Sequence, residues 1–223
     1  MIENPKPAAP DSAAHARMSG EDRRRQLIEV AIDLFARKGF SGTTTREIAS
    51  AAGVTEAIIF RHFANKQDLY AAILDYIDSA KGTGEWLAEA QEFMDRSDDE
   101  GLFRLIITRV LEVHRNSPRF ERLMLHAALE GNELALMHHN QLTASIGARV
   151  KEYIERRQKQ GALRQANPAA ILLTTAGMAH FYAMQKYMYQ FCGPESSDEE
   201  MIDAFLAILM GGVRGDRAKE SIL

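Results

Sequence analysis

Apolar positions along this chain recur at intervals of three and four rather than two. Leu27, Val30, Ala31, Leu34 and Phe35 stand at i, i+3, i+4, i+7 and i+8, which puts them on one face of a helix. Gly39 after Lys38 predicts the end of that helix, with basic residues at its carbonyl end. Thr44 with Glu47 three residues on is a capping-box pattern; it opens a short helix to about Ala52, which Gly53 ends. Thr55 is placed to cap another short helix, roughly Glu56 to His62. Asn65 with Asp68 opens a fourth at Lys66.

The later pattern stays helical. Ser97 with Glu100 predicts a cap for a helix through about His114, and Ser117-Pro118 reads as a cap followed by proline at the first helical position. Leu142, Ile146, Val150, Tyr153 and Ile154 mark a long amphipathic helix ending near Gly161. Asn167-Pro168 opens an uncharged helix, Gly193-Pro194 closes it, and Ser197 with Glu200 caps a last one carrying Ile202, Phe205, Leu206, Leu209, Met210 and Val213. No stretch shows a convincing β alternation. The fold class predicted is all-α, with about nine helices. Pro5, Pro7 and Pro10 lie among alanines with nothing to bury, so residues 1–18 read as a disordered tail.

The 223 residues are 46% hydrophobic and 26% charged, enough to build a core. A single cysteine, Cys192, excludes an internal disulfide framework and multi-cysteine metal sites. Its place at a helix end beside Gly193 favours a bystander over a nucleophile or redox sensor. Between Arg164 and Lys186 lie 21 residues without a formal charge, close to the roughly 20 that a membrane span needs. Gln165, Asn167, Thr174, Thr175, His180 and Gln185 make that stretch too polar for hydrocarbon. A helix buried in protein is expected, with no membrane partner. No basic flank precedes an apolar run at the start, so no secretory signal is read and a cytoplasmic location is expected. The net charge of −4 is unevenly spread: residues 17–70 carry nine Lys/Arg against seven acids, whereas 71–223 carry 17 against 22. That asymmetry points weakly to an anionic partner at the N-terminal end.

The stretch from Thr44 to Leu69 carries the most information. Two short helices joined at Ala52-Gly53-Val54 form a helix-turn-helix pattern. Ile48, Ala49, Val54, Ile59, Phe60 and Phe63 are expected to close the pair onto the first helix. Arg46, Thr55, Glu56, Ala57, Arg61 and His62 are then left outward, with Thr55, Glu56 and Ala57 at the end of the second helix that enters a major groove. From about Arg24 to Leu74 the sequence resembles the TetR (tetracycline repressor) family of transcriptional regulators. The resemblance rests on Ala31, Leu34 and Phe35, on Gly39-Phe40 and Thr43-Thr44-Thr45, and on Ile48-Ala49, Ala52-Gly53-Val54, Phe63, Lys66 and Leu69. It implies a helix-turn-helix DNA-binding domain at 19–66 and a divergent ligand-binding and dimerisation domain at 67–223, whose last two long helices form a four-helix dimer interface. It also implies a double-stranded DNA operator and a small-molecule effector whose identity the sequence does not give.

The chain departs from the family where Ala57-Ile58 stand for a small residue followed by Thr or Ser, and where Phe60-Arg61-His62-Phe63 stands for Tyr-x-Tyr-Phe. His62 replaces a tyrosine that commonly touches phosphate or bases. Thr44 and Thr45 each have two readings, a helix cap and a phosphate contact. Lys66, at a helix start, suits phosphate. Glu56 is either a cytosine reader or a solvated charge favoured by the helix dipole. Arg46 and Arg61 are placed to reach backbone or guanine, and the run Arg23-Arg24-Arg25 is either a solvated surface or a phosphate track.

Beyond residue 67 the aromatic and methionine residues read as core first and pocket second. Trp86, Phe103, Ile107, Met124, Met137, Phe181 and Tyr182 are the candidates for lining an effector cavity, which implies an apolar or aromatic ligand. His126, His138, His139 and His180 do not have metal-ligand spacing, since neighbours on a helix diverge by about 100°. No metal and no cofactor is expected, and no catalytic or phosphate-loop motif is present. The reading is a homodimeric repressor released from a palindromic operator by a small ligand. Two rivals stand beside it: a regulator without a small-molecule effector, and a helical enzyme using the central pocket.

Overall fold

The computed structural model describes residues 18–80, 83–131, 136, 144–191 and 197–213. Met137, His138, His139, Cys192, the Gly193-Pro194 stop and residues 1–17 of the expected tail lie outside these. The described residues form ten α-helices: α1 Gly20–Lys38, α2 Thr45–Ala51, α3 Glu56–His62, α4 Lys66–Ala80, α5 Thr83–Arg96, α6 Asp99–Asn116, α7 Pro118–Leu129, α8 Ala144–Lys159, α9 Pro168–Ala183 and α10 Asp198–Val213. The architecture is all-α, as expected.

Local chemistry sets most of the helix ends. Ser19 caps α1 by accepting from the Asp22 amide, and Asn167 caps α9 by accepting from the amides of Ala169 and Ala170. Before α10, Ser197 and Glu200 exchange the two bonds of a capping box. Two expected ends differ. Asp98, not Ser97, caps α6, accepting from the Gly101 amide at 2.8 Å. Ser97 lies in the left-handed region at φ 56° and turns the chain between α5 and α6. The uncharged helix stops being α-helical at Ala183, where one wider π turn, Met184–Met188, takes over.

Burial divides the chain into two cores. The first joins Leu27, Ala31, Phe35, Ile48, Ile59, Phe63, Leu69 and Ile73 from α1–α4 and the turns between them to Phe120, Leu123 and Ala127 of α7. Packing therefore does not break at residue 66: α4 belongs to the first core, and α7 reaches across to it. The second core gathers Phe103, Ile107, Val150, Ile154, Ile171, Ala179, Leu206 and Leu209 from α6, α8, α9 and α10. Arg157 holds Asp99 with two nitrogens, at 2.8 and 2.9 Å, and so ties α8 to the start of α6. Among the described residues no helix is long and apolar enough to cross a membrane.

Candidate nucleic-acid interface

The interface is built on the turn after α1. Gly39 has φ 72° and ψ 174°, a conformation that essentially only glycine adopts. The turn it starts folds back so that the fully buried Thr43 donates its hydroxyl to the Gly39 carbonyl at 2.9 Å. Lys66, at the start of α4, inserts its ammonium between two carbonyls of this turn, Phe40 at 2.8 Å and Thr43 at 2.9 Å. It also lies 3.9 Å from the Phe40 ring centre. Two of its three N–H donors are thus spent inside the protein, and burial lowers its pKa.

Thr44 then opens α2 with the full capping box. Its amide donates to Glu47 Oε2 at 2.9 Å, and the Glu47 amide donates back to Thr44 Oγ1 at 3.2 Å. Lys38 bonds the same carboxylate at 2.8 Å. The bond from Lys38 and those from Thr44 together hold Glu47 down to a pKa of about 2. The cap reading of Thr44 is met, and its exposed position leaves it able to touch a second group. Thr45 donates its hydroxyl to Glu56. That bond joins the first residue of α2 to the first of α3 and occupies one oxygen of the partly exposed Glu56 carboxylate. Thr55 makes no side-chain cap bond.

Gly53, at φ 66°, makes the turn between α2 and α3. Ile48, Ala49, Ala52, Ile59 and Phe63 bury the inner side of the helix pair. The outer side of α3 and its approach expose Thr55, Ala57, Phe60 and Arg61, with Arg46 exposed on α2. Phe60 does not help close the core as expected; it is 51% exposed. Phe60 follows Glu56 by four and Ala57 by three, which puts it on the outward face of α3. Neither Arg46 nor Arg61 has a carboxylate within ion-pair distance among the described residues.

The arginine run before this module splits by role. Arg25 pairs with Asp22, and Arg23 bonds Gln26 at 2.5 Å. Arg24 donates to the His62 carbonyl at 2.9 Å and lies 4.4 Å from the Phe63 ring centre, so it clamps the end of α3 onto α1. Burial, and then the charges of Arg61, Arg24 and Arg23, lower the pKa of His62. The surface therefore combines exposed hydroxyl, methyl, aromatic and guanidinium groups with a partly buried imidazole, the set that binds phosphate and base edges.

The effector candidates do not converge on one place. Phe103, Ile107 and Tyr182 are buried in the second core, and Trp86 packs against it. The Trp86 indole nitrogen is buried without a hydrogen-bond partner among the described residues. Met124 packs on the first core instead, and Phe181 is 64% exposed. His180 stands edge-on to the buried His114, with ring centres 4.8 Å apart.

Comparison with known proteins agrees with this geometry. Residues 27–73 match the family described as bacterial regulatory proteins, tetR family, and residues 107–207 match the tetracyclin repressor-like C-terminal domain. The chain is 26% identical over 200 residues to the HTH-type transcriptional regulator RutR of Escherichia coli K12, covering 86% of this chain and 91% of that protein. Over 90 residues it is 39% identical to the regulator TtgR of Pseudomonas putida, covering 40% and 41% of the two chains. Among solved structures, a TetR-family transcriptional regulator from Mesorhizobium loti superposes with a TM-score of 0.63 at 19% identity, over 89% of this chain and all of that one. AibR, solved with isovaleryl coenzyme A and operator DNA, superposes with a TM-score of 0.58 at 19% identity, over 83% and 97% of the two chains.

Proposed function

The chain belongs to the tetR family of bacterial regulatory proteins, and we propose that it works as a homodimeric repressor whose operator complex is opened by a small apolar or aromatic ligand. At the coarser level it is a DNA-binding transcriptional regulator, as its relatives are, and not an enzyme. The observation that carries the finer reading is the face of α3. Its inner side is consumed by the first core, while Thr55, Ala57, Phe60 and Arg61 face outward with Arg46 beside them. Arg46, Arg61, Thr44 and the third donor of Lys66 would hold phosphate. Thr55, Ala57 and Phe60 would read base edges, and Thr45 and Glu56 would set the angle between the helices. We place the DNA-binding domain at 19–66 with α4 as its strut, and the protein in the cytoplasm.

Dimerisation is supported by α9 and α10, where Leu173, Phe181 and Ile208 are 74%, 64% and 67% exposed. Apolar side chains this open on a soluble body favour an interface, and two-fold pairing is the usual way to cover one. Two modules related by a two-fold axis fit a palindromic operator. For the effector, Trp86, Phe103, Ile107 and Tyr182 are the residues best placed, since they share the second core. A ligand there acts only through a difference in affinity between the DNA-competent and incompetent arrangements. The test is a screen of apolar and aromatic compounds for release of a selected operator. Release by a compound whose binding is weakened by Trp86→Ala is the expected result. A screen in which such compounds bind yet never alter DNA affinity contradicts the effector reading.

A further inference from the structure

The seam between α1 and α7 holds a cleft that the DNA-facing surface does not use. It is an open cleft of about 370 Å³, half exposed to solvent and lined by Asp33, Ala36 and Arg37 of α1 and by Arg119 and Arg122 of α7. That volume is within the range of roughly 300–1,000 Å³ usual for small-ligand clefts. Three guanidinium groups face one carboxylate, and that carboxylate is committed, since Asp33 Oδ1 accepts from Arg119 Nη1 at 2.5 Å. Arg37 is anchored through Nε to the Asp33 carbonyl at 3.1 Å, which leaves its two terminal nitrogens without a partner among the described residues. Arg122 has no ion-pair partner among the described residues.

Two of the three guanidinium groups are thus fixed on the same residue, with donors to spare, and the cleft keeps two uncompensated positive charges. Guanidinium forks match the oxygens of phosphate in pairs, and an excess of two positive charges attracts the double or higher negative charge of a phosphate monoester or a diphosphate. We propose that this cleft binds a small phosphate-bearing anion that bridges α1 of the DNA-binding unit and α7. Phe120, Leu123 and Ala127 of α7 bury themselves in the core that α1 belongs to, so an anion here braces the joint through which α7 meets the DNA-binding helices.

Calorimetric titration of the intact protein with inorganic pyrophosphate in chloride buffer tests this, alongside an Arg37→Gln/Arg122→Gln variant. Both arginines are exposed, so the variant keeps the fold, and its melting curve without anion checks that. Saturable binding of one pyrophosphate per chain is expected, weakened at least tenfold in the variant. An Arg46→Gln/Arg61→Gln variant, stripped of its DNA-facing cations, is expected to bind like the wild type. Absence of binding, equal binding by the wild type and the cleft variant, or loss of binding in the DNA-face variant alone each overturns the proposal. If the cleft variant weakens binding to duplexes of every sequence while pyrophosphate leaves the wild type untouched, the cleft is a DNA-backbone contact and the proposal also falls.

Discussion

At the scale of single residues, His62 is the most informative side chain on the interface. Burial and three neighbouring arginines lower its pKa below the ordinary value near 6.5. Its contribution to stability is therefore present above that value and is lost as pH falls through the lowered folded pKa. A DNA phosphate brought against the imidazole reverses the local field and favours the charged form. Binding then takes up a proton, so operator affinity should rise by several-fold as pH falls from about 7.5 to 6. Fluorescence anisotropy across that interval measures it, and His62→Asn should flatten the profile. A profile equally steep in the variant would remove His62 from the contact. Phe60 offers a separate check: an exposed ring beside Ala57 is suited to a thymine methyl. Phe60→Ala should weaken operator binding about tenfold without lowering the melting temperature, whereas a core role would do the opposite.

At the scale of elements, the turn between α1 and α2 is the joint on which the interface depends. Lys66→Ala removes two charge-assisted bonds and leaves the Phe40 and Thr43 carbonyls without that partner. A loss of about 1–3 kcal/mol is expected from urea unfolding, together with weaker binding to all duplexes alike. Unchanged stability would contradict the turn-bracing role. This role was not legible in the sequence, where Lys66 reads as a helix-start cation, because a long side chain's partner 26 residues away depends on the path of the intervening turn. Short-range features were legible: the Thr44–Glu47 box, the Asn65–Asp68 pair and the Gly39 stop all follow from local backbone needs. Asp98 displaced Ser97 because two adjacent capping residues compete, and the backbone at Ser97 went left-handed. Phe60 shares a helix face with Glu56 and Ala57, so helical spacing places it outward although its ring is apolar. The effector candidates divide between the two cores and the surface. Phe181 faces out and Met124 joins the first core, a division that helix rotation sets and residue type does not.

At the scale of the whole molecule, α9 and α10 carry apolar side chains on more than one face, and the second core covers one of these faces. Leu173 and Ile208 are open enough to accept a charge without disturbing that core. A Leu173→Glu/Ile208→Glu variant should remain folded by circular dichroism yet run as a monomer in light scattering at micromolar concentration, while the unmodified protein runs as a dimer. A variant that stays dimeric would move the interface elsewhere. Two recognition helices presented by such a dimer would fit a two-fold operator, and phosphate contacts flanking them are expected to make binding fall steeply with salt.

If the proposed function holds, the α2–α3 face reads DNA in sequence, once in each protomer of a dimer. Selection of bound duplexes from a random pool by the intact protein, followed by sequencing, measures this most directly. Enrichment of two inverted copies of one half-site at a fixed spacing near one helical turn or a multiple of it is expected, with loss of that enrichment in an Ala57→Glu/Arg61→Glu variant. A pool that stays without an enriched sequence, or that yields the same motif with the variant, would contradict it.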